Sequence, residues 1–173
     1  MPGQAIGLGV KGLAGFGNPA ALGRRVRRFG QAIGTDLGTA AWDIFEVNGG
    51  DILVTHLMGI VTTLIAGGAP VPRIQFTPDG GGLTPMCAAA ADIITDAIDT
   101  IYTWDGAIAS LLAPAGVGSV GVGYTGMEVG YQVLVPGVIS ITDANAAATG
   151  GVIDWVLHYV PLDTDSVVIP LYA

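Results

Sequence analysis

Turn-forming residues interrupt this chain at nearly every point where a helix would have to lengthen. Glycine occurs 28 times and proline 10 times among 173 residues, and both are costly inside helices. The glycines follow no Gly-X-Y period, which excludes a collagen-like rod. Between the interruptions lie short runs rich in β-branched and aromatic residues, the side chains that suit pleated, half-buried surfaces. The pattern predicts an all-β fold, a β-sandwich or jelly-roll-like body of roughly eight to ten strands.

The runs can be placed one by one. Arg24–Gln31 alternates Arg25, Arg27 and Phe29 against Arg24, Val26 and Arg28. Ala41–Val47 sets Trp42, Ile44 and Glu46 on one face and Asp43, Phe45 and Val47 on the other. Asn48-Gly49-Gly50 is then a turn. Ile52–Ala66 is long enough for one bent strand or two. Arg73–Thr77 is a short strand bounded by Pro72 and by Pro78-Asp79-Gly80-Gly81-Gly82. Residues 84–99 stay open between helix, favoured by alanine and the Pro85 start, and strand, favoured by Ile93, Ile94 and Thr95. Ile98–Trp104 reads as a strand and residues 107–126 as a long Gly/Ala-rich loop. Glu128–Val135, Val138–Thr142, Ile153–Val160 and Val167–Tyr172 close the body. Within Ile153–Val160, Trp155, Leu157 and Tyr159 share one face and Val156, His158 and Val160 the other. Both faces are largely apolar, which predicts a central or covered strand.

Charge divides the chain. Five of the six basic residues (Lys11, Arg24, Arg25, Arg27 and Arg28) precede residue 29, where no acid occurs. All 14 acids and Arg73 follow, so a start of +5 meets a body of −13. Residues 1–23 hold seven glycines and two prolines among spaced apolar points (Ile6, Leu8, Val10, Leu13 and Phe16). They read as an extended N-terminal arm, with residues 24–173 as the sandwich domain. Lys11, Arg24, Arg25, Arg27 and Arg28 are the candidate partner-binding residues, suited to an acidic protein neighbour such as another copy of the body. Nucleic acid ranks below this, because a −13 body repels a polyanion. Only 12% of residues are charged, with 51% hydrophobic. That leaves fewer ionic groups than a solitary soluble domain usually shows and argues for a surface covered by partners.

Several signals carry little. Residues 52–72 contain no Asp, Glu, Lys or Arg. Three threonines, three glycines and two prolines in that stretch argue against a spanning helix, so no membrane role is expected. Residues 1–23 lack the unbroken apolar run of a secretory signal. Gly7–Gly12 and Gly121–Gly126 both match GxGxxG, but neither stands between a strand and a helix. Cys87 is the single cysteine, so no intrachain disulfide forms, and its apolar neighbours make it a core residue. His56 and His158 sit inside separate strands, and no His/Cys/Asp spacing suggests a zinc centre. Asp92, Asp96 and Asp99 would share a helix face, where solvation outranks weak Ca²⁺ binding. Asp163 and Asp165 suit a turn. With no cofactor motif and no catalytic constellation, an enzyme is not expected.

The ending Trp155, Leu157, Tyr159, Pro161, Leu162, Asp163 follows a W-x-L-x-Y-x-P-L-D pattern. It resembles the final strands of small β-sandwich virion proteins of tailed bacteriophages and prophages. Gly23-Arg24-Arg25-Val26, the Ile44-Phe45-Glu46-Val47-Asn48-Gly49-Gly50 strand and turn, and Ile52-Leu53-Val54-Thr55 resemble their opening. The long glycine-rich start departs from their short lead-in. The resemblance implies a head decoration, or cement, protein on the outer surface of the virion, present in the host cytoplasm during assembly. It would bind the major capsid protein and form a small homo-oligomer such as a trimer. The alternative is a tail or fibre component binding a receptor or carbohydrate. An exposed aromatic group formed by Tyr102, Trp104, Tyr124 and Tyr131 would favour it.

Overall fold

A computed structural model describes residues 23–33, 41–90, 92–104, 113–117, 132–143 and 148–172, with 113–117 and 148–149 given by backbone alone. The arm residues 1–22, including Lys11, and both GxGxxG segments lie outside the described residues.

The fold is all-β. Eleven strands occur among the described residues: β1 (Arg24–Ala32), β2 (Trp42–Asn48), β3 (Ile52–Gly67), β4 (Pro72–Pro78), β5 (Thr84–Pro85), β6 (Thr100–Trp104), β7 (Ala113–Val117), β8 (Gln132–Leu134), β9 (Gly137–Asp143), β10 (Ala148–Pro161) and β11 (Val167–Pro170). They form two antiparallel sheets. Sheet A runs β1-β10-β3-β6-β7, with β8 also pairing β3; sheet B runs β11-β2-β9-β4-β5. Ile52–Ala66 is therefore one long strand, and its apolar run is a sheet centre. No helix among the described residues is long and apolar enough to cross a membrane.

The core lies between the sheets. Sheet A contributes Val54, Leu57, Tyr102, Ile153, Trp155, Leu157 and Tyr159; sheet B contributes Ile44, Phe45, Ile74, Ile139 and Ile141. Fully burying one such side chain stabilises by about 1.5–3 kcal/mol. Trp155, Leu157 and Tyr159 share the inner face of β10, as their period predicts, and β10 is central between β1 and β3. Gly59 on β3 makes room for this core. A Cβ there would stand 2.8 Å from the Trp155 ring and 2.9 Å from Ile153 Cγ2.

Register shifts interrupt several pairings, and two of them re-aim residues read from strict alternation. In β2 the register skips a residue between Asp43 and Phe45. Ile44 and Phe45 consequently both face inward and are fully buried, where alternation placed them on opposite faces. In β1 the register shifts between Arg28 and Gln31. Gly30 there has φ +68°, a left-handed conformation that glycine adopts without steric cost.

Residues 84–99 are neither helix nor long strand. After β5 the chain runs beside β4, with the Met86, Ala90 and Ile93 amides donating to the carbonyls of Ile74, Pro72 and Pro70. It then turns onto β3, where the Thr95 and Asp99 amides donate to the carbonyls of Ile65 and Val61. Burial of Met86, Cys87, Ala90 and Ile93 in the core overrides the helix propensity of the alanines. Strand β6 begins at Thr100 because residues 98–99 form a turn. Strand β7 occupies part of the stretch read as loop.

Candidate functional site

The basic strand β1 is an edge of sheet A and lies beside β11, an edge of sheet B. Strand parity divides its arginines. Val26 and Arg28 face inward, and Arg28 is 3% exposed. Its Nε donates to the Leu171 carbonyl at 2.7 Å, and its guanidinium stands 5.6 Å from the Tyr172 ring. Burial pushes the Arg28 pKa down, while nearby Tyr172 and Asp154 oppose that shift. Arg24 Nη1 donates to the Ser166 carbonyl at 3.2 Å. These two arginines therefore bridge the sheets at their adjoining edges.

A contact from β10 occupies the edge of β11 between them. The Val168 amide donates to Tyr159 Oη at 3.2 Å. Pro170 has no amide hydrogen to offer. An edge whose donors are used or missing cannot template another strand, a common protection against edge-to-edge association.

The outward residues behave differently. Arg27 Nη2 bonds Asp154 Oδ2 at 2.7 Å, and its guanidinium lies 4.3 Å from the Phe29 ring centre. Asp154 uses its other oxygen to accept the Gly30 amide at 2.7 Å. One carboxylate thus holds both the bulge and the neighbouring guanidinium. Arg25 is exposed and lies opposite His158, which lies opposite His56 on β3. The imidazole centres are 6.3 Å apart with their planes at 66°. Burial lowers the pKa of both rings; His158 then acts on His56, and Arg25 on His158, in the same direction. The next row is Arg27, Val156 and Met58, so apolar side chains flank the histidine pair beside a basic edge.

Of the sequence candidates, Arg24, Arg25, Arg27 and Arg28 thus share one strand but not one surface. Arg28 is committed inside the molecule, Arg27 is paired with Asp154, and Arg25 faces solvent. The Asp154 and Gly30 contacts were not visible in the sequence, because they depend on a bulge in β1 register.

Other candidates resolve as follows. Tyr102 and Trp104 are buried, so these two are not part of an exposed aromatic group; Tyr124 and Tyr131 lie outside the described residues. Tyr102 Oη donates to Asp96 Oδ2, and burial raises the phenol pKa, with the bond to Asp96 adding to the shift. Cys87 is buried, with the Ile74 amide 3.4 Å from its sulfur. No group of three or more metal-ligating side chains occurs among the described residues. Asp163 Oδ2 accepts the Asp51 amide at 2.7 Å, tying the last turn to the start of β3. At the other side of the sandwich an open cavity of about 260 Å³ is lined by Phe76, Pro85, Met86 and Leu134, with Val133 and Val135 at its wall. Its described lining carries no charged group. No protein-family model matches the chain, and neither curated proteins nor solved structures yield a match.

Proposed function

We propose that the chain is a structural subunit that works by covering and bridging, most specifically a decoration protein binding the capsid lattice of a tailed phage as a small oligomer. The observation that carries this reading is a surface of low charge with large apolar side chains exposed. Phe29, Val133, Val135, Ile169 and Tyr172 are each more than 40% exposed, in a chain with only 12% charged residues. Val133 and Val135 stand together at the wall of the open cavity, and exposed apolar groups that gather in this way mark interaction surfaces. The charge division supports protein docking: an arm containing Lys11 leads into β1 and exposed Arg25, while the body is acidic. Many weak contacts in a symmetric lattice give avidity.

The test uses full-length protein and a variant lacking residues 1–22, which removes nothing from β1 onward. Both are measured by light scattering for oligomeric state and by co-sedimentation with empty phage capsids over a salt series. Saturable binding that weakens in the truncated form, with a shallower salt dependence, is the expected result. A monomer that does not co-sediment with any capsid would overturn the reading.

A further inference from the structure

The two histidines come together only in the folded sheet. His56 and His158 are directly opposed on β3 and β10, with ring centres 6.3 Å apart on the outer face of sheet A. His56 Nε2 is buried without a hydrogen-bond partner. Such an orphaned atom in a folded protein calls for a reason, an ion being one. We propose that His56 and His158 form a two-imidazole chelate for a divalent transition-metal ion of the Zn²⁺, Ni²⁺ or Cu²⁺ class.

The chemistry fits this class. Imidazole nitrogen suits these ions, whereas Mg²⁺ and Ca²⁺ select oxygen. Imidazole must be neutral to bind, and both rings are held neutral at pH 7 by burial, with lowered pKa values. Two imidazoles sharing a tetrahedral ion at the usual Zn–N spacing bring their ring centres to about 5 Å. The observed pair must therefore close by roughly 1 Å, within the reach of a side-chain rotation. Water would complete the coordination.

The surroundings set the strength. Arg25 stands opposite His158 and opposes a cation; Arg27 lies one outward position further along β1, paired with Asp154 of β10. The described parts of β6 and β8 add no charge to this face, presenting Thr103 and Val133 outward. Two nitrogens beside an arginine make a modest site, and removing Arg25 should strengthen it at least about fivefold, since two unit charges a few ångströms apart repel by about 1 kcal/mol even at the dielectric constant of bulk water.

The experiment titrates untagged, full-length protein with NiCl₂ and with ZnCl₂ at pH 7.5 and pH 5.5, by calorimetry and by NMR of the imidazole protons. Expected is saturable one-to-one binding at pH 7.5, with Ni²⁺ broadening centred on His56 and His158. It should weaken at pH 5.5 relative to pH 7.5, because protons compete with the ion for the rings as pH falls. His56→Gln and His158→Gln should each abolish it, and Arg25→Gln should tighten it. Thermal melting without metal checks that each variant is folded. If a variant does not fold, the location of wild-type broadening decides. No saturation below 1 mM metal, broadening centred on other residues, or binding that survives both histidine changes would overturn the proposal.

Discussion

Asp154→Ala should loosen β1 more than any other single loss of charge among the described residues. The carboxylate accepts two bonds of 2.7 Å, from the Gly30 amide and from Arg27 Nη2. Its side chain is 8% exposed and that of Arg27 is 35% exposed. A guanidinium that open regains water when its partner is removed, so the ionic contact counts near the surface figure of about 1 kcal/mol. The Gly30 amide sits at a bulge and loses its acceptor, a cost of about 1–3 kcal/mol. Together the change should destabilise by about 2–4 kcal/mol, or about 4–16 °C in Tm for a chain of this size. Asp154→Asn retains an acceptor for Gly30 and should cost about 1 kcal/mol, similar to Arg27→Met, which removes the ionic contact alone. Urea unfolding followed by tryptophan fluorescence gives the global values, and hydrogen exchange locates the effect. The amides of β1 should exchange faster while those at the centre of β3 and β10 change least. Asp154→Ala within 0.5 kcal/mol of wild type, or Asp154→Asn as damaging as Asp154→Ala, would refute the two-bond account.

Further outcomes follow from the same structure. Gly59→Ala places a methyl against Trp155 and Ile153 and should cost about 1–3 kcal/mol by overpacking, read from the urea midpoint with an unchanged slope. Burial lowers the folded-state pKa of both His56 and His158. The unfolded chain therefore binds more protons as pH falls from the unperturbed value of about 6.5. Stability should be full above that value and decline as pH drops through the lowered values. A His56→Gln, His158→Gln double variant should flatten the pH 5–7 part of the stability profile relative to wild type. Cys87 is buried and should react with a thiol reagent only after unfolding in urea.

The strand content was legible because turn residues and β-branched runs are local signals. What escaped were properties of two strands together. Alternation across Trp42–Val47 is broken by a bulge whose cause is pairing with β9, so Ile44 moves to the core side with Phe45. The helix-like composition of residues 84–99 lost to the carbonyls that β4 and β3 present to its amides. His56 and His158 looked unrelated because the sequence does not show that β3 and β10 are neighbours, still less their register. Trp155, Leu157 and Tyr159 were placed correctly because a period of two inside one strand needs no partner to be read.

The basic cluster changes meaning when parity is applied to it. Read as a sequence, Arg24, Arg25, Arg27 and Arg28 form one positive patch for one partner. Folded, the patch divides. Arg24 and Arg28 donate to carbonyls of the Ser166–Leu171 stretch, and Arg27 pairs with Asp154. The charge of Arg28 is spent inside the molecule and that of Arg27 in its ion pair, leaving Arg24 and Arg25 exposed, with Arg25 on the outer face of β1. The two roles predict separable phenotypes. Arg28→Met strands the part-buried Leu171 carbonyl and should lower stability by about 1–3 kcal/mol, while leaving capsid or self-association unchanged once the protein is folded. Arg25→Gln should leave stability within about 0.5 kcal/mol yet weaken docking and reduce its salt dependence, since a surface charge acts through screened, long-range attraction. Should Arg28→Met impair docking in a fully folded protein while Arg25→Gln does not, the inward arginine would be the contact. The division of the cluster by strand parity would then be wrong.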